Sequence, residues 1–270
     1  MIRFRVLGSG STGNATLVEG GGARILIDAG LGPRELAERL TDAGIDPASI
    51  EAVFLSHEHG DHARGAASFS RRWGVRLKGT HGTYAAAGLA AEEIEGYDVA
   101  VPGVAVQVGE LRVTAVRIPH DAAEPVAFVV ECGGLAFGHA TDLGHVSAAV
   151  VEALRPCRAV LVESNYDPAL LRDGPYPWSL KERILGAYGH LANGDVGRYL
   201  ERGLGDGCAQ VVLAHVSQKS NHPELVEMTA TTALGRAARH GVQLTISGPE
   251  GTGWIEVART PAPSSQLRLF

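Results

Sequence analysis

Seven consecutive residues, Ser-His-Glu-His-Gly-Asp-His at positions 56–62, constrain this chain more than any other part of its sequence. They directly follow four apolar residues, which predict a short buried strand. Because side chains alternate along an extended chain, His57 and His59 are expected on the same side. The turn that follows can then direct Asp61 and His62 towards a second point nearby. Four potential ligands at one strand end predict two adjacent metal ions rather than one.

The ligand types indicate the kind of site. Imidazole suits zinc, manganese or iron, and carboxylate tolerates harder divalent ions, so a mixed set is typical of a hydrolytic metal centre. The alternative is a solvated polar loop beside a histidine that belongs to the core. That alternative does not account for a His-x-His-x-Asp-His spacing that opens directly out of an apolar strand.

A two-metal site needs more ligands than this segment supplies, and three candidates lie at other predicted strand ends. His120, Asp142 and His215 each follow an apolar run and precede a loop. Asp142 is suited to bridge the metals, because a carboxylate can give one oxygen to each of two cations. We therefore predict two ligand sets that share Asp142: His57, His59 and His120 for one metal, and Asp61, His62 and His215 for the other.

The overall composition excludes several classes of protein. With 270 residues, a 45% hydrophobic fraction and a net charge of −6, the chain is expected to fold without the broadly basic surface that coats nucleic acid. Its three cysteines form no disulfide pattern, as expected in a reducing compartment. The amino terminus lacks the apolar core of a signal peptide, and no apolar run approaches membrane-spanning length. We expect a cytoplasmic protein that does not associate with membranes.

A glycine-rich motif near the amino terminus matches the dinucleotide-binding fingerprint but lacks its context. Gly-Ser-Gly-Ser-Thr-Gly at positions 8–13 fits G-x-G-x-x-G, a pattern that must open a helix to bind a dinucleotide. Two short β-type runs around a glycine turn follow instead, with no room for a crossover helix. We predict a tight loop whose backbone N–H groups and Ser9 or Ser11 hydroxyls face the active site and bind an anion.

The rest of the sequence alternates strands and helices without a linker or an internal repeat. Residues 104–138 predict four strands in a β-meander, and residues 61–72 predict one continuous helix. Near the carboxyl terminus, residues 242–246 and 254–257 predict the two strands of a hairpin.

These elements favour an α/β fold built as a four-layer αββα sandwich. Two strand-rich halves that each carry helices can bury their apolar faces as two stacked sheets with helices outside. Because no linker separates the halves, we expect one domain over residues 1–258 and a short tail over 259–270.

The ligand series resembles that of the metallo-β-lactamase superfamily in its dinuclear hydrolase branch. Asp142 stands where true β-lactamases use cysteine, so antibiotic hydrolysis is not expected. The chain resembles the YycJ (WalJ) family of bacterial metallohydrolases still more closely. That resemblance is carried by ordered segments, which include Gly8–Asn14, Leu26–Gly30, His120–Pro125, Ala140–Gly144, Glu163–Asn165, Gly174–Leu180, Gly189–Leu191 and Leu213–His215.

The resemblance implies 5′-to-3′ exonuclease activity on double-stranded DNA, with two Mn²⁺ or Zn²⁺ ions per chain. It also implies kinship to the tRNA-processing RNase Z and to the cyclic phosphodiesterase PhnP.

Further residues can be given roles from the chemistry of a metal pair acting on a phosphodiester. His190 is expected to protonate the leaving group or to bind the phosphate, with a structural role before the next helix as the alternative. Asp61 is expected to be catalytic as well as a ligand, and Asn165 is a further candidate contact for substrate. Asp28 follows a buried strand and is expected to orient a ligand histidine through its second ring nitrogen.

Three functions fit the predicted metal centre. A phosphodiesterase acting on nucleic acid is favoured, with duplex DNA expected and RNA or a small cyclic phosphodiester as alternatives. A thioester hydrolase of the glyoxalase II kind would use the same metals, but the stretch after His215 is too short for its added helical domain. A metal-stabilised binding scaffold would lack ligand positions, whereas every candidate is present. The sequence does not indicate an oligomeric state.

Overall fold

The computed structural model describes residues 1–89 and 96–257, and the expected tail at 259–270 lies outside them. The described chain contains two mixed sheets of seven strands each. The strands of the first sheet, in chain order, are β1 (Ile2–Gly8), β2 (Ala15–Gly20), β3 (Ala23–Ile27), β4 (Ala52–Phe54), β5 (Arg76–Gly79), β6 (Tyr97–Val99) and β14 (Ile255–Val257).

In space the first sheet has the order β14-β1-β2-β3-β4-β5-β6. β1 and β2 are antiparallel neighbours, so the glycine-rich segment between them is a loop and opens no helix, as predicted. β3, β4 and β5 run parallel, and their carboxyl ends therefore lie at one edge of the sheet. The His-rich segment leaves β4 at this edge.

The second sheet consists of β7 (Ala105–Val108), β8 (Leu111–Arg117), β9 (Val126–Cys132), β10 (Leu135–Ala140), β11 (Ala159–Glu163), β12 (Gln210–Ala214) and β13 (Gln243–Ile246). Its order is β13-β12-β11-β10-β9-β8-β7, and β7 to β10 form the predicted antiparallel meander. β10, β11 and β12 are parallel, and β8 points the same way because it is separated from β10 by one antiparallel strand. β13 is parallel to β12 as well, so five carboxyl ends share one edge.

The helices lie outside the two sheets. They are α1 (Pro33–Asp42), α2 (Gly60–Ala63), α3 (Ala66–Trp73), α4 (His81–Ala87), α5 (Ala148–Leu154), α6 (Pro168–Asp173), α7 (Trp178–Leu185), α8 (Asn193–Arg202) and α9 (Pro223–Arg236). Among the described residues, none of these helices is long and apolar enough to cross a lipid bilayer.

The predicted αββα sandwich is confirmed, and three apolar layers hold its sheets and helices together. The central layer lies between the sheets, where Phe4 of β1 stacks on Phe137 of β10 with ring centroids 4.0 Å apart. A second layer packs Leu36 of α1 and Phe69 of α3 against the first sheet. A third packs α5, α8 and α9 against the second sheet, with Leu200 of α8 fully buried.

The predicted carboxyl-terminal hairpin is wrong. β13 pairs in parallel with β12 in the second sheet, whereas β14 pairs antiparallel with β1 in the first. The two strands form where they were expected, but the chain between them crosses from one sheet to the other. The edge strand of a sheet offers unpaired backbone groups. Here β13 pairs with β12 of the second sheet, and β14 pairs with β1 of the first.

The predicted continuous helix over residues 61–72 is interrupted. α2 ends at Ala63 and α3 begins at Ala66 because the intervening Gly65 packs directly on the loop after β3. Its backbone N–H donates to Ala29 O at 2.8 Å, and a Cβ at this position would lie 2.3 Å from Leu31 O. The break anchors α2 beside the end of β3.

Candidate metal centre

The carboxyl edges of the two sheets meet at one rim, and all the predicted ligands lie there. His57, His59, Asp61 and His62 follow β4 of the first sheet, whereas the others follow β8, β10 and β12 of the second. Their donor atoms fall into groups whose members lie within 4.8 Å of one another: His57 with His59 and His120; Asp61 with His62 and His215; and Asp142 with His57 and His62.

The first group has the spacing of a tetrahedral metal site. His57 Nε2 lies 3.0 Å from His59 Nδ1, which lies 3.3 Å from His120 Nε2. Metal–nitrogen bonds of about 2.1 Å in tetrahedral geometry place ligand nitrogens roughly 3.4 Å apart. Three ring nitrogens that face one another at this distance therefore fit one divalent cation.

The second group contains one carboxylate and two imidazoles. Asp61 Oδ2 lies 3.6 Å from both His62 Nε2 and His215 Nε2. Both rings are buried, whereas the Asp61 side chain is 23% exposed and forms the solvent side of the group. This arrangement fits a second cation that solvent can reach from the Asp61 side.

Asp142 lies between the two groups. Its Oδ2 atom is buried and accepts no hydrogen bond of acceptable geometry from the described residues, although His62 Nε2 is only 3.1 Å away. Its Oδ1 atom lies 3.9 Å from His120 Nε2 and 3.3 Å from His215 Nδ1. A buried carboxylate oxygen without a donor is costly, and a cation on that side would remove the cost. The residues present therefore fit a pair of divalent ions that share Asp142.

The Nδ1 atoms of two predicted ligand histidines are held by acceptors, which leaves their Nε2 atoms available to bind a metal. His62 Nδ1 lies 2.8 Å from Asp28 Oδ2, and His120 Nδ1 lies 3.1 Å from the Gly189 carbonyl oxygen. Asp28 is itself fixed, because it accepts from Ser56 N and Ser56 Oγ, both at 2.8 Å. Asp28 was expected to contact the second ring nitrogen of a predicted ligand histidine, and its contact with His62 Nδ1 is of this kind. Such a partner sets the tautomer and orientation of a histidine that binds a metal.

Glu163, at the end of β11, has a central position that the sequence analysis did not assign. Its carboxylate is fully buried, and Oε1 accepts from Leu143 N at 2.7 Å and from Leu191 N at 2.9 Å. Oε2 lies 3.0 Å from His190 Nδ1 and 3.2 Å from His215 Nδ1. One carboxylate thus orients a predicted ligand and the predicted proton donor. The only signal in the sequence is an acidic residue at the end of an apolar strand.

Asn14 is a second residue that sequence reasoning missed. Its amide oxygen accepts from Gly10 N at 2.9 Å, and its Nδ2 lies 3.3 Å from Asp61 Oδ2 and 3.1 Å from His62 Nε2. The side chain therefore connects the glycine-rich loop to two of the predicted metal ligands. An asparagine that ends a glycine-rich loop gives no sequence signal for this role.

The carboxylates make the rim attractive to positive charge. Burial lowers the pKa of His62, but Asp142 and Asp28 outweigh burial and raise that pKa well above its ordinary value. Burial also lowers the pKa of His215, and the Asp142, Asp61 and Glu163 carboxylates raise it to about 10. A site that draws protons onto its histidines is one that a metal cation can occupy in their place.

A cleft of about 430 Å³ opens over the predicted metal ligands. Asp61, Asp142 and His215 line it, and so do three of the predicted substrate contacts, Ser11, Asn165 and His190. His190 Nδ1 is engaged by Glu163, so its Nε2 lies on the opposite side of the ring. Asn165 lines the cleft while its Nδ2 donates to His215 O at 2.9 Å.

Ser9 does not line the cleft, in contrast to what the sequence predicted. The residue is buried, and its Oγ accepts from His215 N at 2.7 Å. Ser9 thus fixes the backbone of the predicted ligand His215, because the glycine-rich loop turns the Ser9 side chain inwards and leaves Ser11 exposed.

The fold and this rim define a metallo-β-lactamase-type domain. A family model described as a beta-lactamase superfamily domain matches residues 23–216. The structure is similar to that of the metallo-β-lactamase fold protein YhfI from Bacillus subtilis, with a TM-score of 0.73, 14% identity and coverage of 95% of this chain and 100% of that chain.

Related sequences show which family of metallo-β-lactamase-fold proteins the chain belongs to. The exodeoxyribonuclease WalJ of Streptococcus pneumoniae is 30% identical over 240 residues, which are 87% of this chain and 89% of that protein. The exodeoxyribonuclease YycJ of Bacillus anthracis is 30% identical over 238 residues, 86% of this chain and 89% of that protein. The chain belongs to the WalJ/YycJ family.

Proposed function

We propose that this protein is a dinuclear metal-dependent phosphodiesterase that degrades double-stranded DNA from 5′ to 3′. The observation that carries the proposal is the pair of ligand groups joined by Asp142 beneath a cleft lined by His190. The names of the relatives WalJ and YycJ, both exodeoxyribonucleases, support DNA as the substrate. His57, His59 and His120 would hold one ion, and Asp61, His62 and His215 the other.

When bound, a pair of Mn²⁺ or Zn²⁺ ions lowers the pKa of water towards neutrality and offsets the negative charge of a phosphodiester. The protein contributes rigid ligands, because Asp28 and Glu163 fix the rings of His62 and His215. We assign to Asp61 the role of accepting a proton as water attacks phosphorus, and its position on the solvent side of its group supports this role.

His190 is proposed to protonate the leaving oxygen. Its Nδ1 is held by Glu163 at 3.0 Å, so Nε2 can carry a proton into the cleft. Burial lowers the pKa of His190, but the Glu163 carboxylate outweighs burial and raises it above its ordinary value. A group that keeps its proton near neutral pH suits a general acid. Asn165 and Ser11 would contact the phosphate from the cleft walls.

The test is hydrolysis by purified protein with Mn²⁺ or Zn²⁺ on end-labelled duplex DNA, single-stranded DNA, RNA, a cyclic phosphodiester and a thioester. We expect mononucleotides released from the 5′ end of duplex DNA, and loss of this activity in Asp61→Ala and His62→Ala. Arg112→Gln, an exposed change on β8, is the control that should keep full activity. Cleavage of the thioester but of no phosphodiester would contradict the proposal.

A further inference from the structure

We infer that Lys219 and Tyr176 form a second phosphate-binding site, which holds the DNA backbone beside the bond that is cut. This inference rests on the proposed nuclease function. It concerns a small pocket of about 190 Å³ beside the metal cleft, lined by Gly10, Ser11, Thr12, Tyr176, Lys219 and Pro249 among others.

The pocket adjoins the cleft. Ser11 and Tyr176 line both cavities, so a chain that leaves the metal centre on this side passes between them. The pocket is smaller than the cavities of about 300–1,000 Å³ that enclose whole small-molecule ligands. A phosphate with part of its sugar is therefore a better match than a complete nucleotide.

Lys219 supplies charge that is not neutralised within the described part of the chain. Its side chain is exposed, and no ion pair joins it to a carboxylate in residues 1–89 or 96–257. Arg183, by contrast, lines the metal cleft but is paired with Asp121. Among the described lysines and arginines that line either cavity, Lys219 is the one without a carboxylate partner, so its charge is available to a phosphate.

The position of Lys219 is fixed from two sides. Its ammonium group lies 5.4 Å from the centre of the Tyr176 ring, within the range of a cation–π contact. Its backbone N–H donates to Ser217 Oγ at 3.3 Å, and Ser217 itself lines the metal cleft. Tyr176 in turn packs on an apolar cluster that contains Leu171 and Ile184.

The opposite wall of the pocket is also rigid. Arg64 donates to Thr12 O at 2.5 Å and to Gly30 O at 2.8 Å, which ties the loop to the end of β3. Ser11 and Thr12 are exposed on this loop. Hydroxyls on one wall and an ammonium on the other are the groups that proteins use to contact the nucleic-acid backbone.

The experiment separates binding from chemistry. DNA affinity is measured by fluorescence anisotropy with a labelled phosphorothioate duplex, which resists cleavage, over a range of salt concentrations. Hydrolysis is measured with bis(p-nitrophenyl) phosphate, which is too small to reach beyond the metal centre. The variants are Lys219→Gln, Lys219→Arg and Tyr176→Phe, with Arg34→Gln as a control because its side chain is 92% exposed on α1.

Lys219→Gln should weaken DNA binding about tenfold and reduce the slope of log Kd against log salt concentration by about 1. Tyr176→Phe keeps the ring that Lys219 contacts, so this variant, Lys219→Arg and Arg34→Gln should bind DNA within about twofold of the wild type. Hydrolysis of bis(p-nitrophenyl) phosphate should stay unchanged in the Lys219 variants and in Arg34→Gln, because neither residue lines the metal cleft. Unchanged affinity and slope in Lys219→Gln, or an equal loss on both substrates, would overturn the inference. Failure of the wild type to hydrolyse any phosphodiester would instead contradict the proposed function, while the anisotropy result would still decide the role of Lys219.

Discussion

At the scale of single residues, three residues of the site have backbone conformations that residues other than glycine rarely adopt. Asp28, Asp142 and His215 have φ angles of 64°, 59° and 52°, in the left-handed region. Each such residue costs about 1 kcal/mol or more. The surroundings enforce the conformation: Asp28 N donates to Phe54 O at 2.8 Å, and His215 N donates to Ser9 Oγ at 2.7 Å. Three strained residues at one rim indicate that positioning these side chains lowers the stability of the fold.

Glu163→Gln should impair catalysis without unfolding the protein. An amide keeps the shape of the side chain but cannot accept from two backbone N–H groups and two histidines at once. We expect kcat on bis(p-nitrophenyl) phosphate to fall about 100-fold, and metal affinity to fall about 10- to 100-fold because His215 loses its orientation. Steady-state kinetics and metal titration by calorimetry measure both effects.

The matched control is Glu131→Gln, because the Glu131 side chain is 41% exposed on β9 and pairs with Arg112. It should behave as the wild type in both measurements. Wild-type kcat in Glu163→Gln would show that the four contacts of this carboxylate do not matter to the reaction.

His139 should make stability depend on pH. It is buried on β10, lies 3.1 Å from Thr16 Oγ1, and has its pKa lowered to about 4, chiefly by burial, which the Asp28 and Asp142 carboxylates only partly offset. Below pH 6.5 His139 is protonated in the unfolded chain but stays neutral in the folded chain. The free energy of unfolding therefore falls as the pH is lowered from about 6.5 to about 4. The loss from this residue is on the order of 3 kcal/mol.

Denaturant unfolding of the wild type and of His139→Gln at several pH values tests this prediction. Glutamine can still bond to Thr16 but does not titrate, so the difference in unfolding free energy between the two proteins should change with pH. The same pH dependence in both would mean that His139 is not held neutral by the fold.

At the scale of elements, the contact between α2 and the loop after β3 determines where two metal ligands lie. A Cβ on Gly30 would lie 1.6 Å from Asp61 O and 2.7 Å from His62 N, so Gly30→Ala must push α2 away. We expect a loss of about 1–3 kcal/mol in the free energy of unfolding, together with loss of metal binding. Thermal denaturation and metal analysis of the purified variant check both parts.

Gly205→Ala is a suitable control for this prediction. Its Cβ would lie 1.9 Å from Arg155 O, a similar backbone clash at the opposite edge of the second sheet, before β12. This variant should lose stability but bind metal as the wild type does. Equal metal content in Gly30→Ala and the wild type would contradict the proposed role of α2.

The elements also show how far the sequence could be interpreted. Apolar runs predicted most strands, and polar residues at their ends predicted the ligands, because strand period and strand ends are local properties. The partner of a strand is not local, which is why β13 and β14 were taken for a hairpin. Gly65 breaks a helix through a contact with Ala29, about 36 residues earlier in the chain. The inward turn of Ser9 and the four contacts of Glu163 likewise depend on long-range packing.

At the scale of the whole molecule, the site joins the two sheets. The first sheet supplies His57, His59, Asp61 and His62, and the second supplies His120, Asp142 and His215. Neither sheet carries a complete set for either of the two proposed ions, because His120 and His215 each group with residues of the first sheet. The stacking of the sheets therefore positions the catalytic centre, and metal binding should be coupled to that stacking.

The number of metal ions per chain tests this account most directly. Purified protein is saturated with Mn²⁺ or Zn²⁺, freed of excess metal, and analysed by inductively coupled plasma mass spectrometry against protein concentration. We predict two ions per chain in the wild type and fewer in Asp142→Ala, which removes the shared carboxylate. A single ion per chain in the saturated wild type would contradict the dinuclear centre.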